Sequence, residues 1–265
     1  HGQTFFGTDF TFPLRRYALA QGVEFGEGLL VTRLLMSRGA VVGAMSIDSK
    51  GEAVMFEAPA VVLATGGFQS NLAMVREFWP SEFKFPGKIL AGSGRHSVGL
   101  GHRMAERVGG DLVKMDYQWN YYSGLPDPQN PGSNKGLNAA NMWGILVNWQ
   151  GRRFANDHGW AKDVMPALLS QEQVTCWTIF DEATKKEFSV SGSDWADAEK
   201  VDRLVLQNPE LVKQADTIEE LARLSGLPSR NLVETVARYN AMIERGVDED
   251  FGRFGPGKSE FNNKA

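Results

Sequence analysis

The chain of 265 residues has one cysteine, Cys176. No disulfide can form within it, and a reducing compartment, the cytoplasm, is the simple expectation. No apolar run approaches the ~20 residues that a membrane-spanning helix needs, so no membrane span is expected. Positive charge is not in excess. Lys and Arg number 28 against 32 Asp and Glu, for a net charge of −4. The basic residues are scattered, which argues against nucleic acid as a partner. His96 and His102 lack acidic or cysteine partners at ligand spacing, and no metal site is expected. Internal repeats and low-complexity tracts are missing too. What remains is ordinary globular composition, 42% hydrophobic and 11% aromatic, in a length that suits one large domain or two ordinary ones. The chain begins at His1 and stops at "SEFNNKA"; it is expected to be the middle of a longer protein.

The first part reads as β-rich after a short helix. "FPLRRYALAQGVEF" suits a helix running into a strand. "LLVTRLLM", "AVVGAMSID" and "AVMFEA" suit three strands, with turns at Arg38-Gly39 and Ser49-Lys50-Gly51. Next comes Ala60 to Ala64, "AVVLA", with no polar alternation, as expected of a strand covered on both faces. It stops at Thr65-Gly66-Gly67, and Ser70 or Asn71 can cap a helix over "LAMVREFW". "GLGHRMAERVGG" predicts a short helix, "DLVKMDYQW" a strand, and "WGILVNWQGRRFAND" a hairpin turning at Gln150-Gly151. The last third is helical. Thr217 and Glu220 form a capping box, Gly226 ends that helix, and Leu232, Val233, Val236, Tyr239, Met242 and Ile243 share a face of the next. Cys176, in the apolar run "VTCWTIF", reads as a packing cysteine.

A glycine pair after an apolar strand lets the backbone approach a ligand, because no Cβ intervenes. In its surroundings, "FEAPAVVLATGGFQSN" resembles the flavin-domain segment of the superfamily of fumarate reductase and succinate dehydrogenase flavoproteins. That superfamily also includes the 3-ketosteroid dehydrogenases. Three more stretches match in the family's order: "GVEFGEGLLVTRLLMSRGAVVGA", "ILVNWQGRRFAND", and "TIEELARLSGLP" with "LVETVARYNAMIERGVDEDFGR". The resemblance implies an α/β or α+β molecule and FAD as cofactor. A partial Rossmann-like flavin domain over residues 1–80 would be followed by a mixed capping domain over 81–265. It also implies a small-molecule substrate and an electron-transfer partner. Carried onto this chain, Ala64, Thr65, Gly66 and Gly67 would lie by the FAD, and Val31 near its adenine.

The family's G-x-G-x-x-G fingerprint has no complete copy here, since Gly99-Leu100-Gly101 lacks the third glycine and follows no strand. The family's closing glycine-rich strand is also absent, so the isolated chain is not expected to retain FAD or to be active. The Thr-Glu-x-x-Arg cluster that fumarate reductases place before "ILVN" is replaced by "GLNAANMWG", and the arginine after "RF-x-NE" falls beside Ala161. Trp119, Tyr121, Tyr122, Trp143 and Trp160 stand in that neighbourhood, and rings offer apolar area rather than charge. The substrate is therefore expected to be bulky, and unsaturated or carbonyl-activated. Tyr122, near the family's substrate-binding histidine, is the first candidate for the proton that accompanies hydride transfer. His158 and Lys162 are the others. The alternative reading is a non-catalytic module that keeps the cap fold to bind a ligand or partner.

Overall fold

The computed structural model describes residues 7–92, 94 and 96–257; His1 and the terminal stretch after Gly257 lie outside them. The chain forms two compact units, His1–Met74 with Arg95–Met115, and Val75–Gly94 with Asp116–Ala265.

The first unit opens with helix α1 (Gly7–Ala20), which buries none of its residues. An antiparallel meander follows: β1 (Leu30–Ser37), β2 (Ala40–Ile47) and β3 (Ala53–Glu57), in that spatial order. The β1–β2 turn holds Arg38 at φ 48° and Gly39 at φ 80°. Two successive left-handed residues match the twist of the flanking strands. The expected strand over Ala60–Ala64 is not formed. The segment joins no ladder, and Val62 is 88% exposed. Its pattern is that of a strand, but hydrogen-bonded neighbours create strands, and the described residues place none beside it. Beyond it lie α2 (Leu72–Glu77), capped by Asn71, whose Oδ1 accepts Met74 N–H at 3.2 Å, and α3 (Leu100–Arg107).

In the second unit the sheets are small and antiparallel. β4 (Gly124–Pro126), β5 (Gly136–Asn141) and β8 (Phe188–Val190) form one; β6 (Ile145–Asn148) and β7 (Cys176–Ile179) form the other. The expected strand over 111–119 is irregular, and Lys114 there sits at φ 55°. The expected hairpin at Gln150-Gly151 is short, a turn with one bridge from Val147 to Arg153, while the ladder of β6 runs to β7. Helix α4 (Ala161–Leu169) packs Val164 against Leu146 and Ala155, with Tyr122 and Cys176 beside them. Two helices close the second sheet. Thr217 Oγ1 accepts Glu220 N–H at 3.2 Å to cap α6 (Ile218–Ser225), which Gly226 ends at φ 69°. Helix α7 (Ser229–Arg245) buries Leu232, Thr235, Tyr239 and Met242 at alternating spacings of three and four, whereas Ile243 is exposed. Ile145, Val147, Leu232, Met242 and Phe254 meet in the largest core.

Candidate functional site

The residues expected beside a cofactor all fall in the first unit. Ala64, Thr65 and Gly66 are exposed and Gly67 is half-buried. Gly66 adopts φ 76°, where a side chain would be strained. Helix α3 seats the segment: a Cβ on Gly101 would fall 2.0 Å from Thr65 Oγ1, so only glycine lets the helix come this close. The Gly67 carbonyl accepts Gly99 N–H at 3.2 Å, and Asn71 donates to the Val98 carbonyl at 3.2 Å. The product is exposed main chain with small side chains and no ladder partner, which fits a flat cofactor lying against backbone. Val31 is half-buried in β1 opposite Ser46. A register shift between Val31 and Arg33 takes Thr32 out of the ladder, and its hydroxyl donates to the Met45 carbonyl at 3.3 Å.

The second unit holds the three expected catalytic residues. Tyr122 is half-buried and borders a cavity of about 10 Å³ with Ser123, Asn141, Met142, Leu146 and Asp157. That is room for one water. Burial raises the Tyr122 pKa, the charges of Asp157 and Cys176 raise it further, and Arg253 opposes them. The phenol therefore stays protonated at neutral pH and acts as a donor. His158 is tied to the same wall, its Nε2–H donating to the Met142 carbonyl at 2.5 Å, a bond that fixes the tautomer because a carbonyl only accepts. Lys162 is exposed on the first turn of α4. Cys176 packs with its thiol 3.7 Å from the Tyr122 carbonyl, and burial pushes that thiol up to about 11, which makes it inert.

Sequence reasoning missed the charges behind this wall. Arg153 donates to Asp157 at 2.6 Å and to Asp248 at 2.9 Å, with all three side chains buried. Arg253 is fully buried and donates to the carbonyls of Gly144 at 2.8 Å and Met142 at 2.9 Å. Asp157 also accepts Leu146 N–H at 2.6 Å. The guanidinium of Arg153 lies 4.8 Å from the Tyr239 ring centre. Burial would raise Asp248, but the hydrogen bonds from Arg153 and from Arg253 N–H outweigh it and hold the group at about 2. For Asp157 burial wins over Arg153 and the pKa moves up. The i, i+4 spacing of Arg153 and Asp157 was available as a signal; the pairing with Asp248, 95 residues away, had none. Among the described residues no group of His, Cys, Asp and Glu could hold a metal ion, and no helix is long and apolar enough to cross a membrane.

The aromatic residues stand out in the open. Trp119, Tyr121 and Trp160 are 68%, 57% and 73% exposed. Single exposed rings are ordinary, but three in the segments on either side of one site mark a candidate contact surface.

Comparison with known proteins matches residues 2–263 to the family described as FAD binding domain. An NADH:acrylate oxidoreductase of Vibrio harveyi is 28% identical over 92% of this chain and 24% of its own length. A fumarate reductase (cytochrome) of Shewanella frigidimarina is 32% identical over 74% of this chain and 31% of its own. The chain thus spans about a quarter to a third of these relatives. Among solved structures, 3-ketosteroid Δ1-dehydrogenase from Sterolibacterium denitrificans in complex with 1,4-androstadiene-3,17-dione superimposes with a TM-score of 0.71. It covers 94% of this chain and 45% of the other at 22% identity, a likeness of fold.

Proposed function

Because the chain belongs to the FAD binding domain family, we propose that it is the substrate-handling portion of an FAD-dependent oxidoreductase acting on a bulky substrate. Bound FAD would supply or accept the hydride, and the double bond concerned would be activated by a neighbouring carbonyl. The exposed backbone Ala64–Gly67 and the β1 position of Val31 belong to a Rossmann-like flavin part and hold the cofactor. Tyr122 handles the proton that accompanies hydride transfer at the neighbouring carbon. His158 and Lys162 are the second and third groups able to take that role. An electron-transfer partner closes the cycle.

One observation carries the substrate class. The two arginines buried in this region are engaged, Arg153 by Asp157 and Asp248, Arg253 through its terminal nitrogens by two main-chain carbonyls, which leaves Lys162, exposed on α4, as the one cation among the named site residues. A dicarboxylate needs unoccupied cations of that kind. The exposed rings of Trp119, Tyr121 and Trp160 offer flat apolar contact instead.

The test uses a protein that spans the family's full length with its flavin bound. It is mixed anaerobically with a cyclic enone such as a 3-ketosteroid, with acrylate and with fumarate, using reduced viologen as donor and an artificial dye as acceptor. Turnover is expected with the cyclic enone, and at least ~10²-fold less with fumarate, the loss that follows when a positioned proton donor is missing. Robust fumarate-dependent viologen oxidation would overturn the reading.

A further inference from the structure

An open groove of about 540 Å³ lies in the second unit, lined by residues of β8, of the turns on either side of it and of the helix after them. None of its lining residues belongs to the Tyr122 site, and its size is that of small-molecule sites. The floor is apolar: Phe188, Val190, Trp195, Val201 and Leu206 line it, all but Leu206 shared with the core formed by Leu137 and Val205. A rigid apolar floor of this kind keeps its shape without a ligand.

One wall carries an irregularity that fits a binding role. Helix α5 (Ala198–Val201) continues into a π-helix over Asp202–Leu206. Ala198, Asp202 and Leu206 all line the groove. In an α-helix, positions four apart drift by roughly 40° per step. In a π-helix, with about 4.4 residues per turn, the same step drifts roughly 30° the other way. The two steps cancel, so the row Ala198–Asp202–Leu206 runs nearly straight along the groove. A continuous α-helix would have turned Leu206 away. π-Segments are rare and are frequently found at functional sites.

The rim carries two carboxylates and two ammoniums, and they differ in how they are engaged. Glu182 is engaged by Lys185 at 3.4 Å and Asp202 by the Gln207 amide at 2.5 Å. Lys186 lines the same groove, and among the described residues it makes no hydrogen bond or ion pair. Each rim carboxylate thus has a hydrogen-bond partner, Glu182 a cation and Asp202 a neutral amide, while the Lys186 ammonium has none among the described residues and lies at the edge of an apolar floor. We propose that this groove is a second binding site, for an amphipathic monocarboxylate whose aromatic or branched body lies on Trp195 and Phe188 and whose carboxylate meets Lys186. This site stands apart from the proposed redox reaction and would survive its failure.

The experiment titrates the protein with 1-naphthaleneacetate and follows backbone amide shifts of residues 185–206 by NMR, with 1-naphthaleneacetamide as the uncharged twin. Saturable 1:1 binding with a Kd below ~1 mM is expected. The amide twin and the surface variant Lys186→Gln should each weaken it about tenfold or more, and Ala198→Phe, which fills the groove, should abolish it. Amide-shift dispersion unchanged by either substitution shows that the fold is kept. No saturable shift in these residues, or equal binding by wild type and Lys186→Gln, would overturn the proposal.

Discussion

At the scale of single residues, Arg153 decides the most. It bridges two buried carboxylates at once, Asp157 and Asp248, with Arg253 at 3.7 Å from Asp157 supplying the second positive charge, and the carboxylates tie the β6 edge to the turn after α7. Removing one member of such a set leaves an uncompensated buried charge. Arg153→Met is expected to cost about 3–5 kcal/mol, read as a lower urea midpoint with an unchanged slope; a loss under ~1 kcal/mol would show the cluster to be incidental. The pH dependence follows from Asp248. Its folded pKa is depressed to about 2 from 3.8, so its contribution is fully present above the unfolded value. It is lost as pH falls through the folded one. Stability measured between pH 5 and pH 2 should fall with acid, and Asp248→Asn should flatten that fall. Equal slopes for wild type and variant would contradict the assignment. Tyr122, expected from its place in the resemblance, borders the cavity with Asp157. Arg253 was not legible in the sequence, because nothing local in "DEDFGRF" announces that it reaches back 109 and 111 residues to two carbonyls.

Among the elements, those whose hydrogen bonds are local could be read directly. The meander β1–β2–β3 has its turns where Arg38-Gly39 and Ser49-Lys50-Gly51 put them, and α6 starts and stops at Thr217 and Gly226. Thr217→Ala should cost about 1 kcal/mol, measured as a shift in thermal midpoint against the same protein; no shift would mean that the cap bond is not formed. Elements whose partners are distant in sequence could not be read. Ala60–Ala64 has a strand's pattern without a strand's neighbours, and β6 forms four consecutive pairs with the distant Cys176–Ile179 but a single bridge to the nearby Arg152-Arg153 arm. The packing of α3 on Thr65 has a consequence for the cofactor. Gly101→Ala pushes the added methyl against Thr65, whose branched side chain has little rotamer freedom to move aside. Flavin affinity of the full-length protein should fall about tenfold while the second unit's stability stays as it was. Unchanged flavin affinity would mean that Thr65 does not shape the cofactor surface.

For the whole molecule, composition excluded far more than it identified, and four ordered sequence matches supplied the family that residues 2–263 confirm. Within that family the function proposed for this chain is a division of labour: backbone for the flavin in the first unit, a proton-holding phenol backed by buried charge in the second. The most direct test crosses the two in the full-length, flavin-loaded protein. Gly66→Val, which burdens a left-handed position, should lower the flavin-to-protein ratio retained through gel filtration. Tyr122→Phe keeps the ring and removes only the hydroxyl. It should leave that ratio at one while the single-turnover rate with a competent substrate falls by ~10²-fold or more. A Tyr122→Phe protein that turns over within a few-fold of wild type, or one that loses its flavin, would contradict the division.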